Sequence, residues 1–110
     1  MKGTKMKQLN QRDAIHYIAT RQAFKASALS GEFKNYTPEM GRLNSEESAL
    51  LAETFSTDGG AYIVRSYGTP VAWFTPLKGW YVVSQKFSVT TSKHQNYIRR
   101  AVAESLQGAN

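Results

Sequence analysis

The 110-residue chain has no cysteine. That removes disulfides, thiol nucleophiles and thiolate metal sites together, and it fits a reducing compartment. Long apolar runs are missing too. None approaches the roughly 20 residues a membrane-spanning helix needs, and residues 1–10 carry lysines without the apolar core of a secretory signal. Histidine is scarce: His16 and His94 stand far apart, whereas zinc sites draw three or four ligands from short spacings. There is no Gly-x-Ser-x-Gly elbow, no phosphate-binding Gly-Lys-Ser loop and no dinucleotide-type glycine turn. These absences point away from enzymes, metals and cofactors and towards a protein that works by binding.

What is present supports one folded domain. Hydrophobic residues make up 41% of the chain and aromatics 12%, enough for one modest core at this length. The net charge of +6 is unevenly spread: residues 1–25 hold six Lys/Arg against one Asp, residues 26–60 two against six acidic groups, and residues 61–110 six against one. Basic ends around an acidic middle suit an anionic ligand or head-to-tail self-association.

Residues 1–9 read as a flexible basic arm. Asn10 with Asp13 resembles a capping box, and Ala14, Ile15, Ile18 and Ala19 follow at helical spacing, giving a first helix over about 11–25. Residues 24–43 read as loop, punctuated by Gly31, Pro38 and Gly41. Asn44 or Ser45 caps a short second helix with Glu46 and Glu47 in its first turn, and the run from Thr57 to Gly60 breaks it. Residues 62–67, 71–74 and 80–83, the last open to extension as far as Phe87, are rich in β-branched and aromatic residues and separated by turns. A final helix over 92–106, capped by Ser92 with Gln95, turns Tyr97, Ile98, Ala101, Val102 and Leu106 to one side and Lys93, Asn96, Arg99, Arg100 and Glu104 to the other. The expected fold is α+β: a three-stranded antiparallel meander packed against this C-terminal amphipathic helix, with one or two N-terminal helices, residues 10–110 forming one domain.

Three constellations carry candidate chemistry. Thr90, Thr91, Ser92 and Lys93 crowd a helix start, where free amides and the dipole favour anions; the plainer reading is that Ser92 caps the helix and the other hydroxyls finish a strand. His94 lies near the apolar face in the first turn, either packed over the sheet edge or offering a ligand a donor. Arg99 and Arg100 join Lys93 on the outer face, with Trp73, Trp80, Tyr81 and Tyr97 near in sequence. That mixture suits backbone neutralisation and base stacking, and equally a solvated helix face over an aromatic core.

The segment Ser66-Tyr67-Gly68-Thr69-Pro70-Val71-Ala72-Trp73, followed by Lys86-Phe87-Ser88-Val89-Thr90-Thr91-Ser92-Lys93-His94-Gln95, resembles a family of small tailed-bacteriophage proteins. Its members carry an SYxTPIAW strand pair and a KxSxTTSxHQ lead into a final helix. The run from Phe24 to Gly31 and the triplet Gly41-Arg42-Leu43 are also similar to that family. The resemblance implies a phage protein acting in the host bacterial cytoplasm, and implies no mechanism. It draws attention to Ser66, Thr69, Thr90, Thr91, Ser92, His94 and Gln95, which serve either a hydrogen-bonded site or an internal scaffold.

The expectation is therefore a non-enzymatic, cytoplasmic phage accessory protein that uses no metal, cofactor or membrane and forms a homo-oligomer. Its anionic partner, nucleic acid or nucleotide, is expected at Thr90, Thr91, Ser92, Lys93, His94, Arg99 and Arg100. The alternative is a counter-defence protein that sequesters a nucleotide immune signal or inhibits a host protein.

Overall fold

A computed structural model describes residues 8–9, 11–26 and 28–108, with side chains for 13–26 and 28–105. The element order is β1 (Gln8–Leu9), α1 (Gln11–Ala19), β2 (Phe24–Ala26), β3 (Leu29–Lys34), α2 (Ser45–Asp58), β4 (Ala61–Ser66), β5 (Thr69–Thr75), β6 (Gly79–Val82) and α3 (Val89–Gly108). The strands form one sheet in sequence order. β2 to β6 are antiparallel to their neighbours, and β1 adds a two-residue parallel rung to β2. The α+β class and the C-terminal helix agree with expectation; the three-stranded meander is corrected to five antiparallel strands.

The missed strands lie in what reads as loop. β3 carries Gly31, which single-sequence reasoning takes for a turn, but a Cβ there would overlap the Tyr62 hydroxyl and the Phe24 ring, so this glycine permits a close approach between packed side chains. The first helix is shorter than 11–25 because it ends in a Schellman turn, Arg21 N–H bonding Ile18 O and Gln22 N–H bonding Tyr17 O. Arg21 takes the left-handed position of that motif (φ 53°), where glycine is usual. The anticipated Asn10 cap and the Met1–Lys7 part of the arm fall outside the described residues, as does the Leu106 side chain. α2 follows expectation: Asn44 Oδ1 accepts from the Glu47 N–H at 2.8 Å, and Gly59 closes the helix at φ 79°.

The sheet is covered on both sides. Ile15 and Ile18 of α1 and Ile98 and Ala101 of α3 pack with Phe24, Leu29, Tyr62 and Val64 on one face. Leu51 and Phe55 of α2 pack with Ile63, Trp73 and Val83 on the other. β4 and β5 are buried along nearly their whole length as a result. α2 thus lies on the face opposite α1 and α3. Ile98 is fully buried, and truncating such a residue to alanine costs about 2–5 kcal/mol. On the α1/α3 side, Phe33, Tyr62, Phe74 and Trp80 are direct cross-strand neighbours on four successive strands, an aromatic row across the sheet.

Candidate functional site

Three stretches far apart in sequence meet at the start of α3. The first is the β4–β5 hairpin. Its two-residue turn, Tyr67-Gly68, has positive φ at both positions (51° and 81°), as strand twist requires. Tyrosine is a poor residue for that conformation, yet Tyr67 holds it with its ring 62% exposed. The second is the Gly41-Arg42 loop. Gly41 has φ 58° and lies so close to Thr69 that a Cβ would sit 2.8 Å from its Cα, and the Arg42 N–H donates to Thr69 Oγ1 at 2.9 Å. The third is the first turn of α3.

The helix does not begin at Ser92, and the expected Ser92–Gln95 capping box is corrected. Ser88 is the cap: its Oγ accepts from the Thr91 N–H at 3.1 Å, and its carbonyl accepts from the Ser92 N–H at 2.9 Å. Gln95 is committed elsewhere. Its side-chain amide donates to Val83 O (2.8 Å) and Gln85 O (3.2 Å), tying α3 to the chain leaving β6. Gln85 in turn accepts from the Asn44 N–H and donates to Arg42 O. The third strand stops at Val82, not Phe87, because this amide relay holds the following backbone.

A hydroxyl chain runs through the junction. Ser88 Oγ donates to Thr91 Oγ1 at 3.1 Å; Thr91 Oγ1 and Ser66 Oγ are 3.2 Å apart; Ser66 Oγ and His94 Nδ1 are 2.7 Å apart. Each hydroxyl has one proton to give. With the Ser88 proton on Thr91, a continuous chain sends the Thr91 proton to Ser66 and the Ser66 proton to Nδ1, leaving the imidazole neutral. Burial, helped by Lys93, pushes the His94 pKa below the usual histidine value, in agreement with that tautomer. Ser66 is only 1% exposed. The imidazole also meets the Tyr67 and Tyr97 rings.

The expected site residues therefore divide. Thr91 is buried and used internally, Ser92 is half-buried within the helix, and His94 is held by Ser66. Thr90 and Lys93 are exposed at the helix start. Arg99 and Arg100 are exposed too, but ten and eleven residues beyond Val89 they lie about 15 Å along the axis, within reach of an extended partner only. Arg99 also donates to Asn96 Oδ1 at 3.3 Å. Sequence reasoning missed Tyr67 and Arg42 as site residues. Both line a small pocket of about 60 Å³ with Ser66, Thr69, Ser88 and Thr91. Val89, the first residue of α3, is 81% exposed. The available signal was a bulky aromatic where a tight hairpin wants Asn or Gly. Of the aromatics placed near the basic face by sequence, Trp73 and Tyr81 stack on each other on the α2 side, where the Tyr81 hydroxyl donates to Glu47 at 2.7 Å.

Among the described residues no group of His, Asp or Glu is arranged to hold a metal ion, and no helix is long and apolar enough to cross a membrane. A family model, described as a family of unknown function (DUF8033), matches residues 37–107. The chain belongs to that family. The match spans all the converging residues, from the Gly41-Arg42 loop to the end of α3. No curated protein and no solved structure matches the chain.

Proposed function

We propose that this member of the DUF8033 family is a non-enzymatic binding protein for an anionic partner, nucleic acid or nucleotide, held where the β4–β5 hairpin meets the start of α3. The observation that carries the reading is Tyr67: an exposed aromatic kept in a strained backbone conformation, lining one pocket with exposed Arg42 and packed by His94 against the first turns of α3, which carry exposed Thr90 and Lys93. Residues held in such conformations concentrate where a site needs them. In this reading a base stacks on Tyr67 while Lys93, Arg42 and the first-turn amides of α3 take the phosphate. The buried hydroxyls and His94 hold the hairpin against the helix and do not touch the ligand. Arg99 and Arg100 join only for a polymer. The motif resemblance supports a phage accessory role in the bacterial cytoplasm. Self-association belongs to the same reading, since the acidic α2 and the basic α3 lie on opposite faces of the sheet and would let copies stack.

The test is titration with a mononucleotide and with a short single-stranded oligonucleotide at low and moderate salt. Binding should weaken as salt rises. Lys93→Ala with Arg42→Ala should weaken both ligands, and Arg99→Ala with Arg100→Ala only the oligonucleotide. A second reading has its own observation: Tyr67 and Val89 are both exposed apolar groups at this end, which suits docking on a host protein, as a counter-defence inhibitor would. If neither probe binds while Tyr67→Ala abolishes phage fitness, the protein partner replaces the nucleotide.

A further inference from the structure

At the opposite end of α3 the sheet is left partly uncovered. α1 stops at Ala19, and between its last turn and α3 lies an open groove of about 710 Å³, within the range of small-molecule sites. Its floor is Phe74 and Trp80, the last two rings of the cross-strand row, tilted at 51° with centroids 5.4 Å apart. Ala19 and Val102 form its walls; His16, Thr20, Arg21, Glu104 and Ser105 lie around the rim. Half-covered aromatics in a void of this size leave apolar surface wet in a domain with little to spare. The Trp80 indole N–H adds a second cost, because it is buried with no hydrogen-bond partner.

We propose that this groove binds a small, flat heterocycle without net negative charge, of the nucleobase or nucleoside class. Flatness follows from the floor: Arg21 already lies over the Phe74 ring, which is tilted away from Trp80, so the ring left to a ligand is Trp80, and a planar group covers it by stacking. A ring nitrogen or carbonyl supplies the acceptor that the Trp80 N–H lacks, and the indole gives up no bond in turning towards it. The excluded charge follows from the field. The groove faces the C-terminal turn of α1 and the late turns of α3, the negative ends of both helix dipoles, and Glu104 lies on its rim. The one guanidinium is already committed: Arg21 stacks over the Phe74 ring at 4.5 Å and donates to Ala19 O (3.1 Å) and Ser105 Oγ (3.2 Å). Thr20 leaves a hydroxyl on the rim to meet a ligand's polar edge.

The two indole N–H resonances make the test, with adenosine and AMP as probes and the full chain as the protein. Trp80→Phe assigns the resonances. Adenosine should move the Trp80 signal in a saturable way and leave that of Trp73, buried on the α2 side, in place. AMP should bind about fivefold more weakly, the scale of a charge beside a helix C-terminus. Thr20→Tyr and, independently, Ser105→Tyr should plug the groove from its rim and abolish the shift while the rest of the spectrum stays folded. The proposal is overturned by a Trp80 signal unmoved at millimolar adenosine, by a shift that persists in both plugged variants, or by AMP binding more tightly at the same resonance. It is also overturned if the signal moves on dilution of the protein alone, which would put a second copy in the groove.

Discussion

At the N-terminal end of α3, hydroxyls and an imidazole bond one another and two side-chain amides bond backbone groups across three chain segments. At the C-terminal end two aromatic rings line an open groove, and the buried Trp80 indole N–H has no partner among the described residues. The same helix thus seals one end of the sheet with polar bonds and leaves the other open. Polar side chains dense in a short motif are first of all a means of joining elements, and only the members left over on the surface are available to a partner. At the closed end those are Tyr67, Arg42, Thr90 and Lys93; at the open end the unsatisfied groups lie in the floor.

The strongest way to break this contrast is to prise the closed end apart. Gly41→Ala should cost roughly 3 kcal/mol, from a left-handed alanine and overlap with the Thr69 backbone. Gly59→Ala should cost only about 1 kcal/mol, because Gly59 has a similar φ but nothing within 4 Å of its Cβ position. Urea denaturation of the two variants measures the difference, and equal losses would show that the Gly41–Thr69 contact does not hold the junction. Next in size is the cap. Ser88→Ala should cost about 1 kcal/mol and Ser92→Ala less than about 0.5 kcal/mol; the reverse order would return the helix start to Ser92. At the open end, Arg21→Gly should be about 1 kcal/mol more stable than Arg21→Ala, since both lose the clamp over Phe74 and only glycine relieves the left-handed backbone.

Acid should expose the two sides of the sheet separately. The His94 pKa is depressed in the fold, so its contribution to stability is present above the unfolded value of 6.5 and is lost as pH falls through the lower folded value. Protonating Nδ1 also reverses the hydroxyl chain. Denaturation midpoints should therefore fall as pH drops below the unfolded value of 6.5, and His94→Gln should flatten that fall. On the α2 side, Asp58 is held at about 2 by its hydrogen bond to Lys78, with Thr75 and Thr57 assisting. Its contribution is present above the unfolded value of 3.8 and disappears as pH drops towards 2. Lys78→Met should remove the second step and leave the first.

Much of this architecture was legible in local chemistry. The Asn44 cap, the Gly59 stop, the hairpin of β4 and β5 and the apolar side of α3 all follow from turn residues and periodicity. β2 and β3 were not legible, because Gly31 answers to the Tyr62 and Phe24 side chains, which only the fold brings near it. Nor was the Ser88 cap, because Ser92-x-x-Gln95 looks like a capping box unless one knows that Gln95 bonds the carbonyls of Val83 and Gln85. The aromatic row was present residue by residue as Phe33, Tyr62, Phe74 and Trp80, but its alignment depends on strand register, which alternation alone does not set.

The proposed anion site lies where the hairpin tip meets the start of α3. Backbone amide shifts on adding a short single-stranded oligonucleotide at low salt probe it residue by residue. Saturable shifts are expected at Tyr67, Gly68, Val89 and Thr90, reduced by Lys93→Ala with Arg42→Ala and weakened by added salt. Shifts absent from those four amides, or confined to residues 16–21 and 102–105 around the groove, would contradict it.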